Sequence, residues 1–94
     1  MDRAEFETEL RAQGYQDIAE RQMPANQINP GHAHEFDARL LILEGEMTIT
    51  RDGEEHTYRA GDSCAVSAGC RHAERVGREG VQYIAGRRPQ SAAG

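Results

Sequence analysis

The feature that most constrains this chain is its punctuation. From Tyr15 onward, short stretches with strand-like alternation are separated by turn signals at roughly 8–12-residue intervals, which is the pattern of a sandwich or barrel. The signals are Asn29-Pro30-Gly31, Glu44-Gly45-Glu46, Asp52-Gly53, Ala60-Gly61-Asp62, Ala68-Gly69 and Gly77-Arg78-Glu79-Gly80. They predict strands over 17–23, 32–44, 47–50, 55–59, 63–67, 70–76 and 81–85. Asp52-Gly53 is the strongest of them, because both positions of a tight hairpin turn require positive φ. Met47-Thr48-Ile49-Thr50 alternates as a half-buried strand does. Leu40-Leu41-Ile42-Leu43 is apolar on both faces, so it is buried on both faces, inside a sandwich or against a second subunit. A homodimer is therefore expected.

The flanks differ in texture. Residues 2–13 read as a helix: Asp2 and Glu5 have capping-box spacing, Phe6 and Leu10 share a face, and Gly14 is a left-handed stop. The stripe is that of a helix covering one end of a sheet. After Gly86 the chain reads Arg-Arg-Pro-Gln-Ser-Ala-Ala-Gly, with nothing to bury. The expected organisation is a helix and arm over residues 1–16, a barrel over 17–86 and a flexible tail over 87–94.

At 94 residues the chain has room for one domain. A chain this short buries only about 60–65% of its unfolded surface, so sheet closure, a metal or a partner subunit would each help. The net charge is −5 and all eleven basic residues are arginine, a balance that argues against duplex nucleic acid as a partner. No apolar run is long enough to span a bilayer, and the first residues lack an apolar signal core. The expectation is a soluble, cytoplasmic protein with no membrane partner. Cys64 and Cys70 do not form a disulfide framework and are expected as free thiols, with Cys70 the better placed to line a pocket, two residues from His72.

The chemistry is concentrated in Pro30-Gly31-His32-Ala33-His34-Glu35-Phe36-Asp37. In an extended strand, His32 and His34 point to one face about 7 Å apart, and two imidazoles so placed can converge on one ion. A third histidine, His72, follows the turn at Ala68-Gly69. His56, alone on a hairpin strand, is expected to be exposed.

These residues resemble the motifs of the small single-domain cupins. The first motif of that family appears as His32-Ala33-His34, three residues to Ala38, and six more to Gly45. The second appears as Gly61, five residues, Ser67-Ala68-Gly69, two residues, His72, three residues, Val76. The resemblance covers residues 17–86 and implies an all-β fold, a double-stranded β-helix or jelly-roll barrel, here with a short N-terminal helix. Ser67 and Val76 replace a proline and an asparagine of the pattern. The more consequential departure is in the first motif, where the metal-binding glutamate falls on Ala38, or on Arg39 if four residues intervene.

The resemblance therefore implies metal ligation by His32, His34 and His72 alone, with a divalent transition metal such as Fe, Zn, Ni or Mn. Three imidazoles leave coordination positions open, and without the carboxylate an anionic or chelating small-molecule ligand can supply the missing charge. Glu35 and Asp37 have the wrong strand parity to substitute without a bulge. Glu74 shares the parity of His72 but lies about 7 Å further along. Arg39, Tyr58, Tyr83 and Cys70 are the candidate ligand-binding residues: a guanidinium attracts a carboxylate or phosphate, and a buried tyrosine hydroxyl needs a partner. The functional expectation is a small metallo-cupin, with oxygenase or isomerase-type activity open. The alternative is a non-catalytic, sensor-like binding module without metal.

Overall fold

The computed structural model describes residues 1–89. Its one helix, α1 (Arg3–Ala12), begins where the spacing predicts. The Asp2 side chain accepts the Glu5 N–H, and Gly14 at φ +81° turns the chain out toward Tyr15. Six strands follow: β1 (Gln16–Met23), β2 (Ile28–His32), β3 (Phe36–Arg51), β4 (Glu54–Arg59), β5 (Ser63–Val66) and β6 (His72–Pro89). No helix among the described residues is long and apolar enough to cross a membrane.

All pairings are antiparallel, and β3 and β6 pair along nearly their whole length. The N-terminal half of β3 and the C-terminal half of β6 form one layer, flanked by β5 and β1. Their other halves form a second layer, flanked by β4 and β2. The two long strands thus belong to both layers, which is how a double-sheet jelly roll is built.

Two of the expected chain reversals are corners of this kind. Glu44-Gly45-Glu46 and Gly77–Gly80 separate strands on paper, yet β3 and β6 run straight through them. Gly45 and Gly80 hold φ values of +77° and +78°, and a Cβ on Gly45 would collide with the Gly80 carbonyl oxygen. The strands bend together there, with register shifts around Gly45, and remain paired. The turn read at Asn29-Pro30-Gly31 lies within β2, an edge strand, where a proline removes no ladder bond. Asp52-Gly53 is a hairpin turn as expected, with φ +52° and +77°.

The core has two compartments. Leu40, Ile42, Met47, Ile49, Val66, Val76 and Val81 fill the space between the layers. Leu41 and Ile84 face outward and are covered by Phe6, Leu10 and Tyr15. Helix α1 therefore buries the second face of the Leu40–Leu43 run, which the sequence alone leaves to a sandwich interior or a partner subunit.

The expected tail begins too early. Residues 87–89 are the end of β6: Arg87 pairs with Ala38 and Gln16, and Pro89 with Phe36. Arg88 donates to Asp37 through Nε and Nη2 at 3.2 and 2.9 Å, and to the Gln13 carbonyl at 3.0 Å. Composition showed nothing to bury there, but a strand in mid-sheet is held by its backbone bonds and by these arginines. The remainder of the expected tail, residues 90–94, lies outside the described residues.

Candidate metal centre

The three histidines reach one point by separate routes. His32 ends β2 and pairs across to His72, the first residue of β6. His34 lies in the short segment that carries the chain from β2 to β3, so the pair does not share one continuous strand as the sequence suggests. A backbone bond from the Gly69 N–H to the His34 carbonyl, 2.8 Å, ties that segment to the turn before His72. The rings end with centroids 4.8, 4.4 and 5.4 Å apart, and one ligand atom from each residue lies within 4.8 Å of the others.

Two of the rings are set in a definite tautomer. His32 Nδ1 lies 2.8 Å from the Pro30 carbonyl oxygen, and His72 Nδ1 lies 3.0 Å from that of Cys70. A carbonyl only accepts, so each Nδ1 carries a proton, and Nε2 is the nitrogen each ring can offer to a metal. His72 is buried; His34 is half-buried and stacks on Phe36 at 4.6 Å. Burial, then the neighbouring charges of His32 and His72, push the His34 pKa below its ordinary value. A neutral imidazole is the form that ligates.

This donor set fits a divalent transition metal. Histidines held through Nδ1–H by backbone carbonyls have the outer support that metal-ligating imidazoles use. Donors within 4.8 Å need to close by only about 1 Å each to reach ordinary metal–nitrogen lengths of about 2.0–2.1 Å.

The cluster opens into a cavity of about 510 Å³ between the two layers. Tyr83 lines it, with its hydroxyl pKa raised by burial and by the nearby Glu74. Ala38, at the position of the missing glutamate, also lines it and leaves that space open.

The other ligand-binding expectations are corrected. Arg39 points away from the cavity, because Ala38 and Leu40 take the inward parity. It donates to Glu9 and Gln13 at 3.1 and 3.0 Å, and its guanidinium sits 5.1 Å over the Phe6 ring, clamping α1 to the sheet. Tyr58, on β4, pairs with Met47 of β3 and packs against the core rather than lining the cavity. Cys70 serves the site through its carbonyl, not its thiol, which does not line the cavity. Both cysteines are free thiols, and burial pushes Cys64 up to about 11. His56 is exposed beside Glu54, as expected.

Among the possible substitute carboxylates, Glu35 is exposed. Asp37 is engaged elsewhere: Oδ1 takes the Ala68 N–H at 2.8 Å and Oδ2 takes Arg88. The Ala68 N–H first, and then Arg88, hold its pKa below the usual carboxylate value. Glu74 does line the cavity.

Two arginines that sequence reasoning missed, Arg21 and Arg87, also line it. Arg21 lies opposite Tyr83 in the β1–β6 register, and the Arg87 guanidinium lies 4.6 Å over Phe36. Among the described residues neither is in an ion pair. The alternation Tyr83, Ala85, Arg87 carries a signal for the second; the composition change after Gly86 obscures it.

A family model for the cupin domain matches residues 19–82. The chain belongs to the cupin family. No curated protein matches the sequence. Among solved structures, this cupin is similar to an RmlC-like cupin from Shewanella frigidimarina, 23% identical over 80% of this chain and 67% of that one, with a TM-score of 0.68. It is also similar to a predicted oxalate decarboxylase from Thermotoga maritima, at 20% identity, 88% and 74% coverage and a TM-score of 0.68. A Rhizobium leguminosarum protein of unknown function gives a TM-score of 0.72 at 22% identity, covering 78% of this chain and 69% of that one. At these identities the likeness shows the shared fold.

Proposed function

We propose that this cupin holds one divalent transition metal ion on His32, His34 and His72 and binds a small anionic or chelating molecule beside it. The observation that carries this reading is the convergence of three imidazoles, two with Nδ1 locked by carbonyls so that Nε2 is left as the donor. The ion, when bound, supplies Lewis-acid or oxygen chemistry according to its identity. The chain supplies the rest. A cavity of about 510 Å³ suits a small metabolite. Arg21 and Arg87 offer guanidinium forks to a carboxylate, and the Tyr83 hydroxyl lies on the same wall. The apolar wall formed by Met23, Leu40 and Val66 limits water around the bound anion and strengthens those contacts.

The test is calorimetric titration of the metal-loaded protein with oxalate, a small chelating dianion, beside the Arg21→Ala/Arg87→Ala variant. Micromolar to millimolar binding by the wild type, weakened at least about tenfold in the variant, is the expected result, at roughly 1.5–3 kcal/mol for each charged hydrogen bond removed. Equal affinity in the two proteins would remove the arginines from the ligand site.

A further inference from the structure

Glu74 faces the histidines from the same strand and the same side as His72. Its side chain is only 13% exposed, and its Oε1 lies 4.0 Å from His32 Nε2. That distance has a chemical consequence. The His32 Nδ1 proton is committed to the Pro30 carbonyl, so Nε2 is the ring atom left to face the carboxylate oxygen. Two potential metal donors thus face each other on the wall of the cavity. Two donors bound to one ion at about 2.1 Å each stand about 3.0–4.2 Å apart, and 4.0 Å falls within that range.

The carboxylate is also held in place. Asn29, its cross-strand neighbour, donates through Nδ2 to the same Oε1 at 2.9 Å. The orientation of the Asn29 amide is fixed in turn by Gln27, whose Nε2 donates to Asn29 Oδ1 at 3.0 Å. A chain of three polar residues that positions one oxygen beside an imidazole nitrogen is the support expected of a metal ligand.

We propose that Glu74 is a fourth metal donor, supplied from β6, which restores the negative charge lost from β3 where Ala38 stands. This inference rests on the three-histidine reading above and adds a selectivity to it. A carboxylate oxygen is a hard donor, so its removal weakens binding of the hard Mn(II) ion more than that of Zn(II).

The experiment compares the wild type with Glu74→Gln, which keeps the size of the side chain and removes its charge, and with Glu74→Asp, which keeps the charge one methylene short. Mn(II) affinity is read from the free-ion electron paramagnetic resonance signal, Zn(II) affinity by chelator competition, and the environment of bound Co(II) from its visible spectrum. Thermal unfolding of the metal-free proteins confirms that each variant is folded. The expected result is a loss of Mn(II) affinity of about 10–100-fold in Glu74→Gln, a smaller loss for Zn(II), a shifted Co(II) spectrum, and partial recovery in Glu74→Asp. A wild type that loads one ion per chain, with Mn(II) affinity and Co(II) spectrum unchanged in Glu74→Gln, overturns the assignment and leaves Glu74 as a carboxylate of the cavity wall. A wild type that loads no ion overturns the three-histidine reading, and this inference with it.

Discussion

Replacing Phe6 with alanine tests how the outer face of the barrel is covered. Phe6 is fully buried between Leu10, Tyr15, Leu41 and Ile84, and it is the largest side chain joining α1 to the sheet. Removing a buried phenylalanine ring costs about 3–5 kcal/mol, combining lost transfer energy with the cavity left behind. The Arg39 guanidinium over the ring, only 16% exposed, contributes about 0.5–1 kcal/mol more. A domain of this size has about 5–15 kcal/mol of total stability, so Phe6→Ala removes about a quarter of it or more. Urea unfolding followed by circular dichroism is the assay. The expected result is a lower midpoint with an unchanged denaturant slope, and a melting temperature lower by at least about 12 °C. A loss under about 1 kcal/mol would refute the reasoning, because the Leu41 and Ile84 face would then have to be covered by something other than α1. A second subunit is the first candidate, and sedimentation of the same variant would detect it.

Three further outcomes follow from other parts of the fold. Gly45→Ala forces a side chain into a left-handed backbone and against the Gly80 carbonyl, so a loss of at least about 2 kcal/mol is expected in the same urea assay, and a neutral result would contradict the paired corner. Asp37 has a folded-state pKa below its ordinary value of 3.8, so its contribution is complete above that value and is lost as the pH falls through the lower folded-state value; wild type should exceed Asp37→Asn in urea midpoint at pH 6, and the gap should close as the pH is taken below about 3.8. Cys64, buried and with its thiol raised to about 11, should resist a thiol reagent at pH 8 while half-exposed Cys70 reacts, giving one fast thiol per chain in the native protein and two after denaturation.

The all-β fold, the Asp52-Gly53 hairpin and the three histidines that come together were legible in the sequence because they rest on local signals. Strand alternation, turn residues and the spacing around His32, His34 and His72 need no knowledge of distant contacts. The misreadings share a different physical origin. Gly45 and Gly80 carry the same left-handed preference whether the chain reverses or two paired strands bend together, and only their mutual contact distinguishes the cases. Arg39 stands at a position that matches the family pattern, but its direction is decided by α1, whose Glu9 and Gln13 it bonds. Residues 87–89 look polar and unburied by composition, yet they close the β6 ladder opposite Phe36, Asp37 and Ala38. Glu74 was visible by strand parity. What parity could not show is the polar chain from Gln27 through Asn29 that brings its oxygen to His32.

The central claim is that His32, His34 and His72 form one metal site. Its most direct test is elemental analysis of untagged protein purified without chelators, beside His34→Ala, which alters a half-buried ring, and His72→Ala, which alters a buried one. The account predicts about one transition metal ion per chain in the wild type and none in either variant, with the fold of His34→Ala intact by circular dichroism. A wild type free of metal even after reloading with Fe, Zn, Ni and Mn would contradict it, and would leave the histidines as hydrogen-bonding groups of a cavity that binds its ligand without an ion.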